Sequence, residues 1–73
     1  MKCADIDDAL VIRYAADFHD RISTTPVGAR LVEDGVPPKV ATAKIERLVS
    51  RGLLNYGVSP NTAWPTGRGR ALL

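Results

Sequence analysis

The first amphipathic pattern occupies the N-terminal third of the chain. Its apolar residues recur at three- and four-residue spacing and share one face, which predicts a helix with this face in the core. They are Leu10, Val11, Tyr14, Ala15, Phe18 and Ile22. Asp5 is a favourable N-cap with Asp8 three residues further on, and the hydroxylic residues 23–25 predict the end of the helix.

A narrower apolar stripe lies beside this face and consists of Ala9, Ile12 and Ala16. It has two interpretations. The stripe is the edge of the core, or it is the contact through which two copies of the chain form a homodimer.

Two shorter helices are predicted next, and both end at a glycine. Thr25 and Pro26 suit the N-cap and first position of the second helix, which Gly35 ends by taking the left-handed conformation. The third helix is predicted over 38–51, with Pro38 at or near its first position and Gly52 after it. Its inward residues are Val40, Ala41, Ile45, Leu48 and Val49. Two helices joined by a short turn containing glycine form a helix-turn-helix.

A short hairpin is predicted after the third helix. Leu53, Leu54 and Tyr56 suit a strand, residues 59–61 suit a turn, and Ala63 with Trp64 begins a return strand that Pro65 confines to a sheet edge. Residues 66–73 predict a turn or a short capped helix. The expected fold is therefore α+β and mostly helical: one winged helix-turn-helix domain over 1–73, with three helices, an antiparallel hairpin whose wing covers 57–63, and the C-terminal turn or helix.

Length and composition argue against catalysis. A chain of 73 residues forms one thin core, which leaves little room for a substrate cavity. Cys3 and His19 are single residues of their type, so no disulfide is expected within the chain and no metal-ligand spacing is present. We expect no enzyme and no cofactor. No apolar run is long enough to cross a membrane, and the acidic start does not suit a secretion signal, so a cytoplasmic location is expected.

Charge divides the chain into two unlike halves. Residues 1–36 carry four bases and seven acids, a net charge of −3, whereas residues 37–73 carry six bases and one acid, a net charge of +5. A molecule polarised in this way orients in the field of a polyanion. The alternative is that the two halves attract each other within the fold.

The segments 44–54 and 66–73 resemble the winged helix-turn-helix proteins of the MarR and PadR type. The first reads Lys-Ile-Glu-Arg-Leu-Val-Ser-Arg-Gly-Leu-Leu and the second Thr-Gly-Arg-Gly-Arg-Ala-Leu-Leu. Together with the second helix, the resemblance covers about two thirds of the chain. It implies a transcription regulator that binds duplex DNA with its third helix in the major groove, usually as a dimer. The small size and the preference for arginine over lysine suit a phage or bacterial regulator. The chain departs from the pattern at Asp34, where an apolar residue is more usual, and in lacking the long flanking helices used for dimerisation.

Ten residues are the candidate DNA contacts. Thr42 and Ala43 would approach the bases closely, and Lys39 and Arg47 would contact guanine edges or phosphates. The others would bind the DNA backbone, except that the wing with Asn61 has the minor groove as an alternative. The remaining candidates are Thr25, Lys44, Arg51, Asn61, Arg68 and Arg70. Neutralising four to six phosphates predicts a log–log salt slope of about −4 to −5. Tyr56 and Trp64 could stack on bases, although packing suits their strand positions better.

Glu46 lies in the middle of the predicted DNA-facing surface and has two interpretations. It accepts a hydrogen bond from cytosine, or it obstructs DNA binding. The second interpretation, the neutral wing and the second apolar stripe favour an alternative function, a winged-helix module that binds another protein. An RNA partner is a weaker option, because no exposed aromatic platform is predicted.

Overall fold

The computed structural model describes residues 1–73 as a mostly helical α+β fold. Its helices are α1 (Asp8–His19), α2 (Val27–Glu33), α3 (Pro38–Ser50) and the short α4 (Gly67–Arg70). Strands β1 (Leu54–Asn55) and β2 (Trp64–Pro65) pair antiparallel, with Leu54 opposite Pro65 and Asn55 opposite Trp64. Single 3-10 turns cover Cys3–Asp5 and Pro60–Thr62. None of the helices has the length and apolar character needed to cross a bilayer.

Helix α1 is shorter than predicted at both ends. Its N-cap is Asp7, whose carboxylate accepts from the Leu10 N–H at 3.1 Å, and not Asp5, which belongs to the preceding 3-10 turn. At the other end, Arg21 takes the left-handed conformation with φ of 62°. The Ile22 N–H bonds to the Asp17 carbonyl and the Arg21 N–H to the Phe18 carbonyl, which is a Schellman motif. Ile22 therefore points outward, with 75% of its surface exposed, and the prediction that it belongs to the core is wrong.

The glycine stops of α2 and α3 are as predicted. Gly35 has φ of 96° and Gly52 has φ of 76°, and each stands in the same Schellman position that Arg21 occupies after α1. The start of α2 differs from the prediction by one residue. Pro26 is the N-cap because its carbonyl accepts the first helical bond, from the Arg30 N–H, while its own backbone stays extended. Thr25 lies outside the helix and does not cap it.

The core fills the space between the three long helices and the hairpin. Its largest fully buried side chains include Ile12 of α1, Leu31 of α2 and Ile45 of α3, all with no exposed surface. Ile12 and Ala16 are both buried, so the second stripe of α1 belongs to the core. Of the three residues of the stripe, only Ala9 keeps some exposed surface with which a second copy could make contact.

The loop between the two strands folds back onto the helices. Its 3-10 turn packs against α2 and α3. At the contact, a Cβ on Gly28 would stand 2.1 Å from Oδ1 of Asn61 and 3.1 Å from its Cα, so the glycine makes room for this close approach. Val58 is fully exposed and forms the tip of the loop. The predicted wing at 57–63 is therefore partly held against the helices.

Candidate nucleic-acid interface

The solvent face of α3 carries the central candidates. Helix α3 buries Ala41, Ile45 and Leu48 at helical spacing, which turns the opposite side outward. Lys39, Ala43 and Arg47 are exposed there, as are Glu46 and Ser50, while Thr42 is half-buried. A shallow depression runs along this face between Lys39 and Glu46, lined also by Pro38, Thr42 and Ala43. The five residues 39, 42, 43, 46 and 47 are thus brought onto one accessible surface, which we call the α3 face.

Lys44, a predicted phosphate contact, does not belong to the α3 face. Its side chain is only 5% exposed and its Nζ donates to Oδ1 of Asp8 at 2.5 Å. The position lies at the boundary of the helix surface, where the four-carbon stem packs inward once the ammonium has a partner. A buried ammonium that is already neutralised is not available for a phosphate.

Two further candidate bases also form ion pairs with acids of the first half. The Arg51 guanidinium donates to Oδ2 of the same Asp8 at 2.8 Å, and Arg70 donates to both carboxylate oxygens of Asp20, at 2.8 and 3.1 Å. The pKa of Asp8 is lowered, most by the hydrogen bond from Lys44 and next by the hydrogen bond from Arg51. The Arg70 hydrogen bond lowers the pKa of Asp20, and the pKa of Arg70 is raised in return. Arg51 and Arg70 remain partly exposed, so each is a secondary candidate at best.

The opposite charges of the two halves of the chain therefore partly neutralise each other within the fold. Three of the six bases in residues 37–73 pair with aspartates of the first half. The three without an ion pair are Lys39, Arg47 and Arg68. Arg68 is exposed, and its guanidinium lies beside Gly52, the residue that ends α3. A Cβ added to Gly52 would stand 3.6 Å from Nη1 of Arg68. The unpaired bases thus lie in the first turn of α3, in its last turn and beside the glycine that follows it.

The two polar candidates outside α3 have different positions. Thr25 is half-buried and lies just before the N-cap of α2, and its N–H donates to the Ser23 hydroxyl at 3.2 Å. Asn61 is exposed and lies over Gly28, where it lines a groove between α2 and α3 together with Thr42. Asn61 therefore lies near the α3 face, but through a folded-back loop and not through a projecting wing.

An aromatic and ionic cluster that the sequence did not reveal joins α1 to α2. The Arg30 guanidinium lies 3.8 Å from the centre of the Tyr14 ring and donates to Asp17 at 3.2 Å. The Tyr14 hydroxyl donates to Asp34, which raises the pKa of Tyr14. Asp34 therefore has a structural role at the end of α2. Trp64 packs near His19, with ring centres 6.3 Å apart, and Tyr56 packs on the core, so neither forms a free stacking surface.

Comparison with protein-family models, with curated proteins and with solved structures found no match to this chain.

Proposed function

We propose that this protein is a winged-helix protein that binds double-stranded DNA as a transcription regulator, with α3 in the major groove. The observation that carries the proposal is the distribution of bases after the internal ion pairs have formed. Lys39 and Arg47 have no carboxylate partner, and both extend from the exposed side of one helix. Unpaired cations along a helix face are the electrostatic footprint of a phosphate-backbone partner.

The size of the neighbouring side chains supports the same orientation. Thr42 and Ala43 lie between the two bases on the α3 face, and their small side chains allow the helix backbone to approach base edges. Major-groove readers place the N-terminal part of such a helix closest to the bases. In this arrangement Lys39 and Thr42 read bases, while Arg47 and Arg68 bind the phosphates on either side of the groove.

The order of elements also supports a winged helix. Helices α2 and α3 are joined by the short turn at Gly35, and the β1–β2 hairpin follows α3 directly. The hairpin loop lies against α2, so Asn61 and the exposed Val58 are the residues of the wing that come near the duplex.

Binding to mixed-sequence duplex DNA at several salt concentrations tests the proposal. Three unpaired bases predict a log–log slope of about −3, which is smaller than the sequence alone suggested because Lys44, Arg51 and Arg70 are engaged internally. A measured slope near zero would contradict the proposal.

A second candidate function is supported by the groove between α2 and α3. Its walls include Pro26, Ala29 and Pro38, with Val32 42% exposed on its rim. An exposed apolar groove suits a protein partner better than a nucleic acid. A partner that remains bound after nuclease treatment and in high salt, and that Val32→Ser releases while Val58→Ser does not, would favour this function over DNA binding.

A further inference from the structure

We infer that Glu46 is a specificity residue that reads a cytosine in the major groove, an inference that rests on the proposed function. Six of the eight acids have a hydrogen-bond or ion-pair partner within the chain. Glu33 and Glu46 are the two that have neither. Of these two, Glu46 lies on the α3 face between the unpaired bases.

The helix itself offers Glu46 no compensating charge. Residues three and four positions away along a helix are its side-chain neighbours, and here they are Thr42, Ala43, Val49 and Ser50, all uncharged. Arg47 shares the α3 face but, as the next residue in the sequence, it is not a side-chain neighbour of Glu46 along the helix. The carboxylate is therefore a free acceptor that points to solvent.

A free acceptor at this place has a distinct effect on each base pair. A carboxylate accepts hydrogen bonds and cannot donate them. Guanine presents acceptors in the major groove and thymine presents an acceptor and a methyl group, so both leave the carboxylate unpaired and repelled. Cytosine presents its N4 amino donor and satisfies the carboxylate, which makes it the preferred base. Adenine also presents an amino group, but beside the N7 acceptor.

The depression next to Glu46 gives a base edge room to reach the carboxylate. Ala43 and Thr42 lie one turn before Glu46, so the side chains next to the carboxylate in this depression are small. Because a carboxylate also repels phosphates, it weakens binding to every sequence that lacks the matching donor. Glu46 thus sharpens selectivity while lowering non-specific affinity.

Selection from a pool of random-sequence duplexes tests this inference directly. The wild-type protein should enrich cytosine at one position, by about 5- to 150-fold over guanine or thymine. Glu46→Gln should change the preferred base at that position to adenine, because a carboxamide matches the N6 and N7 groups of adenine. Glu46→Ala should lose the preference there and keep the preferences at other positions.

Glu33→Gln is the matched control, because Glu33 is the other glutamate without a partner and lies on α2, away from the α3 face. This variant should leave every base preference unchanged. Identical base preferences in wild type and Glu46→Ala would overturn the inference. If Glu46→Ala raised affinity equally for all sequences while the wild type bound duplexes with the expected salt dependence, Glu46 would be an obstacle only and the proposed function would stand. If the wild type retained no duplex even at low salt, the proposed function would fall together with the inference. Equal thermal unfolding of all four proteins confirms that the variants are folded.

Discussion

Arg21 occupies a backbone conformation that favours glycine. Its φ of 62° places it in the left-handed region, and the two other helices that end in the same motif use Gly35 and Gly52 there. A side chain at such a position is strained relative to glycine. Arg21 is also exposed and forms no ion pair.

Arg21→Gly should therefore stabilise the protein by about 0.5–1 kcal/mol, because relief of strain exceeds the entropy that glycine adds to the unfolded chain. Urea unfolding followed by circular dichroism measures the change. Arg13→Gly, in the interior of α1, is the control and should be destabilising by about 1 kcal/mol. Equal destabilisation by both changes would contradict the left-handed assignment.

Asp8 neutralises two bases at once, one of them buried. Replacing it with asparagine leaves the Lys44 ammonium without a carboxylate while the side chain is 5% exposed. Because Asp8 itself is about one-third exposed, we expect a loss of about 2 kcal/mol in the free energy of unfolding, less than for a fully buried pair. Asp20→Asn, which breaks an exposed pair, should have a smaller effect in the same denaturation experiment. Comparable losses in the two variants would count against the burial of Lys44.

The position of Lys44 illustrates what the local pattern cannot supply. Helical spacing correctly predicted that Lys39, Ala43 and Arg47 are exposed, because the apolar residues of α3 fix its buried side. Lys44 lies at the boundary of that side, and its direction depends on Asp8, 36 residues earlier in the chain. Likewise, the ends of α2 and α3 could be predicted because Gly35 and Gly52 follow them. The end of α1 could not, because an arginine such as Arg21 is equally common within a helix.

At the scale of elements, α4 packs its backbone directly on the start of the hairpin. A Cβ on Gly69 would stand 2.0 Å from the Leu53 carbonyl oxygen, a backbone atom that cannot move aside without shifting the strand. Thr66 is the N-cap of α4, and its hydroxyl accepts from the Gly69 N–H at 3.1 Å. The close approach and the cap together hold the C-terminus against the hairpin.

Gly69→Ala should destabilise the protein by about 1–3 kcal/mol through overpacking against this carbonyl. Gly67→Ala is the matched control in the same helix, where nothing lies within 4 Å of the added Cβ, and it should be neutral or stabilising by up to about 1 kcal/mol. Thermal unfolding of the two variants checks the difference. If both alanines were tolerated equally, α4 would not be packed as described.

The hairpin shows which features of an element can be predicted from the sequence pattern and which cannot. Pro60 correctly marked the turn and Pro65 the return strand, since local chemistry decides where a strand can exist. The direction of the loop was not predictable, because it depends on Gly28 in α2 leaving space for Asn61. That contact joins residues 33 positions apart, and neither residue signals it alone.

At the scale of the whole molecule, ion pairs between the two halves make the fold sensitive to acid. Asp8 and Asp20 both have a pKa lowered by hydrogen bonds from their bases. Their contribution to stability is present above the ordinary aspartate pKa of about 3.9 and is lost as the pH falls through the lower folded-state values. The Asp8→Asn, Asp20→Asn double variant should therefore lose less stability than wild type between about pH 5 and pH 2. Parallel pH profiles of the free energy of unfolding would contradict this account.

The central claim is that the unpaired bases on the α3 face, and not the charge of the molecule in general, bind duplex DNA. The most direct test compares two double variants that each remove two exposed bases without an ion pair. Lys39→Ala with Arg47→Ala alters the α3 face, whereas Arg13→Ala with Arg21→Gly removes equal charge from α1 and the turn after it. We predict that the first variant reduces the log–log salt slope by about 2 and weakens binding at low salt, while the second changes the slope little. Equal losses in the two variants would show that binding follows net charge alone and would contradict the assignment of the α3 face.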